Sequence, residues 1–150
     1  DFSHDPKDVH RMIAGSANAD LVIGSRNIPG GGVKGWPWYR ELISKGGSFY
    51  ARTILGVKIR DMTAGFKLFR REVLETLDLD GIEASGYMFQ IELKYRTSRA
   101  GFRVHEIPVI FIDRQYGESK MTSSIVLEAI WRVWRLKLRR TPARRPKTDS

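Results

Sequence analysis

Asp20-Leu21-Val22-Ile23-Gly24-Ser25-Arg26 is the stretch on which the fold turns. Its apolar, partly β-branched centre is too short for a helix and stops at Gly-Ser, so it reads as a buried strand opening into a loop. Upstream, Asp5-Pro6 reads as a helix cap followed by Pro at the first helical position, and Lys7 to Ala17 continues that helix. Downstream, Asn27 to Gly35 holds Pro29 and four glycines and reads as a mobile loop. A helical pattern runs from Pro37 to Leu55, with Gly46-Gly47 as its weak point and Gly56 placed to end it. Short strands are expected at 57–59 and 66–69, on either side of Asp61-Met62-Thr63-Ala64-Gly65. Two helices follow, at 72–77 and 89–100, the second stopped by Gly101. Arg103 to Ile112 alternates as a strand, and Pro108 argues that it lies at a sheet edge or carries a bulge. A polar loop, 113–122, leads to a last helix at 123–139. Residues 141–150 have the Pro-rich, charged composition of a disordered tail. Strands alternating with helices make the class α/β.

The bulk properties narrow the chemistry. A chain of 150 residues can bury one domain core, and 41% hydrophobic with 29% charged residues is ordinary for a globular protein. There is no cysteine, which excludes disulfides, thiolate zinc sites and thiol catalysis and is compatible with a reducing cytoplasm. No apolar run reaches the length of a membrane-spanning helix. The opening Asp1-Phe2-Ser3-His4-Asp5 has neither a basic nor an apolar leader segment and no initiator Met, so the chain is expected to be part of a longer one. The net charge is +9, yet Arg132, Arg135, Lys137, Arg139, Arg140, Arg144, Arg145 and Lys147 fall in one C-terminal run without an acidic residue. Without that run the chain is close to neutral, so the basicity points to a partner met by the C-terminal end.

Three segments can carry chemistry. Gly24-Ser25-Arg26 and Trp36-Pro37-Trp38-Tyr39-Arg40 bracket the glycine-rich loop with two arginines. Guanidinium forks suit phosphate oxygens and glycines let a loop fold over a ligand, but the same residues also make a flexible surface loop with solvated charges. In Asp61-Met62-Thr63-Ala64-Gly65-Phe66 the carboxylate either closes an Asx-type turn or is aimed into a cleft. In Phe111-Ile112-Asp113-Arg114-Gln115-Tyr116-Gly117-Glu118-Ser119-Lys120-Met121, Arg114 and Lys120 leave the C-terminal end of a strand, where open α/β sheets place ligands. Taken alone this last segment reads as a charged turn; with a ligand it would suit an anionic group.

The joint order of these motifs is more specific than any one of them. Gly-Ser-Arg, then Asp-Met-Thr-Ala-Gly-Phe-Lys at 61–67, then Ser-Gly-Tyr-Met-Phe-Gln-Ile-Glu at 85–92, then Glu106-Ile107-Pro108 running into Asp113-Arg114 and Gly117-x-Ser119-Lys120, resembles the dolichol/polyprenol-phosphate mannosyltransferases. The likeness covers residues 1 to about 122. The opening Asp1-Phe2-Ser3-His4-Asp5-Pro6 resembles that family's D-x-D-x-S-H-x-P segment without its first Asp.

The resemblance implies the C-terminal part of a GT-A (Rossmann-like) glycosyltransferase fold over 1–122, a basic amphipathic helix at 123–140 and a disordered tail at 141–150. It implies inverting transfer of mannose from GDP-mannose to a polyprenyl (dolichyl) phosphate, with Arg114, Lys120 and Asp61 at the reacting groups. Asp61 would orient a sugar hydroxyl or shape the site, since a phosphate nucleophile needs no strong base. Substrate contacts would come from Arg26, Arg40 and Ser44, with Gln90 and Glu92 as sugar contacts or as a pair at a helix start. Asp1 and Ser3 would bind Mg²⁺ or Mn²⁺ on the diphosphate. The nucleotide-binding front half of such enzymes would precede residue 1, so the piece alone would be inactive.

The last helix supplies a further expectation. Val126, Leu127, Ile130, Trp131, Val133, Trp134 and Leu138 gather on one face, and Glu128, Arg132, Arg135 and Arg139 gather opposite. Such a helix fits a membrane interface, with the basic tail attracted to anionic lipid, and it also fits packing on its own domain or on a membrane-protein partner. With a lipid substrate, the expected location is peripheral, on the cytoplasmic face of a membrane. A lipid-phosphate or partner-binding module without turnover, and a transferase using another nucleotide sugar such as UDP-glucose, stand as alternatives. Nucleic-acid binding is disfavoured, because no aromatic-basic platform accompanies the charge.

Overall fold

A computed structural model of the protein describes residues 4–82, 86–113 and 123–139, with side chains in the last segment from 127 onward. The first helix, α1 (Lys7–Gly15), leads to the buried strand β1 (Leu21–Ser25), whose residues are all buried. The Asp5 carboxylate accepts the Lys7 amide at 2.9 Å, closing the helix start that Asp5-Pro6 predicts. The other end of α1 is closed by Arg70, whose guanidinium donates to the carbonyls of Ser16, Ala17 and Ala19.

Three strands form the main sheet in the order β3-β1-β4. Strand β3 (Lys67–Phe69) runs antiparallel to β1, with Leu21 opposite Phe69; β4 (Val104–Pro108) runs parallel, with Leu21 opposite Val104 and Ser25 opposite Pro108. Two short parallel strands, β2 (Gly32–Lys34) and β5 (Ile110–Ile112), form a second sheet. Val109 joins the two sheets: its amide donates to Ser25 and its carbonyl accepts from Gly32. The single strand expected over 103–112 is thus split at Val109, directly after the proline. Among the described residues β4 is an edge strand, as Pro108 requires.

Two further sequence expectations are corrected. The glycine-rich loop contains β2, because Gly31 lets the chain double back so tightly that a Cβ there would lie 2.4 Å from the Ser25 carbonyl oxygen. The strand expected at 57–59 does not form, because the amides just beyond it, of Arg60 and Asp61, are taken by the Glu106 carboxylate at 2.8 and 2.9 Å.

The remaining helices are α2 (Trp38–Leu55), α3 (Arg71–Thr76), α4 (Gly86–Arg99) and α5 (Ser123–Leu138). α2 runs unbroken through Gly46-Gly47 and ends at Gly56, which takes the left-handed φ of 70° that suits glycine. The period of two along β1 separates the core into layers. Leu21 and Ile23 face Ala51 and Leu55 of α2, Met88, Ile91 and Tyr95 of α4, and Val133 and Leu136 of α5. Val22 faces the other way, onto Met12, Ile107 and Val109. Helices packed against a mixed parallel and antiparallel sheet make a mixed α/β fold.

On α5 the expected apolar face divides in two. Val133 enters the core together with Leu136, while Leu127, Ile130, Trp131, Trp134 and Leu138 remain exposed. α2 and α5 lie side by side and run the same way, since Tyr50 donates to the Ile130 carbonyl and Lys137 to the Leu55 carbonyl.

Candidate functional site

Where β1 ends, Arg26 turns inward and meets Asp61. Its Nε donates to Oδ2 and its Nη2 to Oδ1, both at 2.8 Å, and its backbone amide donates to Oδ2 at 3.0 Å. Nη2 also reaches Thr63 Oγ1 at 2.8 Å. Asp61 is fully buried and the Arg26 side chain is 10% exposed, so this is a bidentate ion pair largely shielded from water. Burial alone would raise the Asp61 carboxyl; the Arg26 hydrogen bonds and charge, helped by Lys94, bring it below its ordinary value. Asp61 is therefore a stable carboxylate.

Lys94, on α4, stands behind this pair. Its side chain is fully buried, and Nζ donates to the carbonyls of Asp61, Met62 and Ala64 at 3.0, 2.9 and 2.8 Å. Burial pushes its pKa well below the usual lysine value, while Asp61 opposes that shift. From the other side, Glu106 on β4 holds the Arg60 and Asp61 amides. The 61–64 turn is thus gripped by its carbonyls and by its amides.

Around Arg26 the cleft is aromatic and polar. Its guanidinium carbon lies 5.4 Å from the Trp36 ring centre and 5.9 Å from that of Phe111, and that of Arg40 lies 4.0 Å from Trp36. Arg40 Nη1 bonds Asp113 at 2.9 Å. Ser44 and Ser48, one turn apart on α2, both contact Thr63 Oγ1, at 3.3 and 3.4 Å. A shallow pocket opens here, lined by Arg26, Asn27, Gly32, Trp36, Glu41, Ser44 and Lys45 among others. Trp36 lines it, and Trp36 Nε1 and the Nε of the neighbouring Arg40 are buried without a hydrogen-bond partner among the described residues. Donors that lack acceptors beside a cleft suit an oxygen-rich anion. His4 stacks on Phe66 at 4.4 Å, and its pKa is lowered by burial and by Arg26.

The structure therefore gathers Asp61, Arg26, Arg40 and Ser44 in one cleft. Gln90 stands apart, accepting a hydrogen bond from Lys67. Glu92 is buried and bonds Arg96, whose guanidinium also donates to the carbonyls of Asp78 and Gly81. That pair ties α4 to the 78–81 turn, and its contacts do not reach the cleft. Arg114, Lys120, Asp1 and Ser3 lie outside the described residues. A carboxylate and a hydroxyl are suitable hard donors for Mg²⁺ or Mn²⁺; among the described residues no group of three His, Asp or Glu could hold a metal ion. Sequence reading gave no role to Lys94, nor to Thr63 and Glu106, which stand inside the quoted motifs. A signal existed for Lys94, which falls between Ile91 and Tyr95 on a buried helical face.

No protein-family model matches the chain. It is 46% identical over 135 residues to the undecaprenyl-phosphate mannosyltransferase of Micrococcus luteus, which covers 90% of this chain and 56% of that protein. It is 48% identical over 134 residues to the polyprenol monophosphomannose synthase of Mycolicibacterium smegmatis, covering 89% of this chain and 51% of that one. The chain thus spans about half the length of the curated relatives it matches. Across nine-tenths of its length, the chain is a homologue of polyprenyl-phosphate mannosyltransferases and matches a C-terminal portion of them.

Proposed function

We propose that this chain forms the acceptor side of a GT-A-type glycosyltransferase that moves mannose from GDP-mannose to a polyprenyl phosphate. The observation that carries the reading is the cluster of Arg26, Trp36 and Arg40 beside a pocket that Ser44 lines, with Trp36 Nε1 and Arg40 Nε lacking partners among the described residues, in a chain homologous to mannosyltransferases. A lipid phosphate is already ionised at neutral pH, so the chain need only position it and balance its charge. Its oxygen attacks C1 of the sugar, the bond from C1 to the diphosphate breaks, GDP leaves with the electron pair, and C1 inverts. Arg40 and Arg26 hold phosphate oxygens, and Ser44 donates a further hydrogen bond. Arg114 and Lys120 add positive charge. Asp61 is no base here: locked by Arg26 and Lys94, it orients the arginine. When bound at Asp1 and Ser3, Mg²⁺ or Mn²⁺ would neutralise the departing diphosphate.

The lipid part of the acceptor accounts for the outer surface. α2 exposes Trp38, Tyr39, Leu42 and Phe49, and α5 exposes Leu127, Trp131, Trp134 and Leu138 at spacings of four, three and four residues. Aromatic and apolar side chains beside Arg132, Arg135 and Arg139 fit a headgroup boundary, so the protein sits peripherally on the cytoplasmic face of a membrane. No helix among the described residues is long and apolar enough to cross one.

The test is transfer by the chain extended upstream to the length of its relatives, with GDP-mannose, polyprenyl phosphate and Mg²⁺ or Mn²⁺. Mannosyl transfer that is lost with Arg114→Ala is the expected outcome. Turnover only with another donor, UDP-glucose for example, would replace the sugar. Lipid-phosphate binding without turnover of any donor would leave a binding module.

A further inference from the structure

We propose that Lys94 is a positioning residue of the cleft, aiming the Arg26 guanidinium from inside the core by way of the 61–64 turn; this rests on the acceptor-phosphate reading above. An ammonium has three N–H donors, and all three of Lys94's are used on carbonyls of that one turn. Three carbonyl oxygens converging on a point repel one another unless a cation lies between them. With Lys94 present, they point inward and leave the Asp61 carboxylate facing the opposite way, onto the Arg26 amide, Nε and Nη2. Glu106 holds the same turn through the Arg60 and Asp61 amides, so its backbone is fixed from both sides. Thr63, inside the caged turn, is the shared partner of Arg26, Ser44 and Ser48. One buried ammonium thereby sets the direction of the arginine and of the serine-bearing face of α2.

The ion pair Glu92–Arg96, on the same helix, provides the control. It is also buried, though less completely than Lys94, and grips the 78–81 turn. In the upstream-extended chain, Lys94→Met is expected to raise the KM for polyprenyl phosphate by about tenfold or more, leaving that for GDP-mannose within about twofold. Lys94→Gln, which keeps two N–H donors, should give a smaller rise and serves alone if the Met variant does not fold. Arg96→Met should lower the melting temperature without moving either KM. In an Arg26→Lys background, Lys94→Met should add little to the acceptor KM, since both changes act on one group. A lowered melting temperature with unchanged acceptor KM, or effects that multiply in the double variant, would overturn the proposal. A readout without turnover separates this inference from the functional one. The Arg26 Nε–H resonance in NMR should shift with Lys94→Gln and stay with Arg96→Met. If the parent transfers nothing, the functional reading fails while this resonance still decides the role of Lys94; an unmoved resonance refutes it.

Discussion

The inside of the cleft and the outside of the helices reverse the usual arrangement of a soluble protein. At the 61–64 turn, Asp61 and Lys94 are buried and hydrogen-bonded, joined by Arg26. On α2 and α5, by contrast, Trp38, Leu127 and Trp131 stand 76%, 68% and 69% exposed. Burying charge costs free energy unless every partner is met, and exposing large apolar side chains forgoes burial. Under the proposed function, the cleft would take the anionic head of the acceptor lipid and the helix faces its apolar tail.

The charged half of this contrast carries the largest expected effect. Asp61→Ala leaves the Arg26 guanidinium without its carboxylate and removes the charge that favours protonated Lys94, and should cost about 3–5 kcal/mol in urea unfolding. A loss below about 1 kcal/mol would mean that water already screens the pair. Next comes the division of α5. Leu136→Ala opens a cavity and should cost about 2–5 kcal/mol. By contrast, Leu127→Ser and Trp131→Ser should each change stability by no more than about 0.5 kcal/mol while weakening binding to anionic vesicles. Equal destabilisation by inner and outer changes would show both faces packed against protein.

A pH-dependent effect belongs to Lys67, which lies 5.7 Å from the ring centres of both Phe69 and Phe89 and donates to Gln90. Burial lowers its pKa from 10.5 to about 8. The unfolded chain then holds more protons between those two values, so this group's contribution makes stability rise as pH increases from about 8 toward 10.5. The Lys67→Met chain should lack that rise, which unfolding curves at pH 7.5 and 10 would measure as a difference between the two proteins.

Local pattern carried much of this architecture and little of its wiring. The strand at 21–25, the helix ending at Gly56 and the edge position of Pro108 follow from side-chain period and backbone chemistry visible within a few residues. The missing strand at 57–59 and the extra one at 32–34 depend on partners far along the chain, Glu106 and Ile110–Ile112, which local pattern cannot see. The site divides in the same way. Arg26, Arg40, Ser44 and Asp61 were legible from motif order. Lys94 was hidden because its three acceptors are backbone carbonyls about thirty residues away, and carbonyls have no letter in a sequence. Glu92 stood inside a motif yet is held by Arg96, one helical turn on.

The most direct measurement is the affinity of the chain for vesicles carrying polyprenyl phosphate, against vesicles matched in surface charge with an anionic glycerophospholipid. Tighter binding to the polyprenyl phosphate, reduced to the charge-matched level by Arg40→Gln, is the result expected if cleft and helix faces serve one amphiphilic ligand. Equal binding to both vesicles, unaffected by Arg40→Gln, would contradict it and reduce the surface to a general membrane contact.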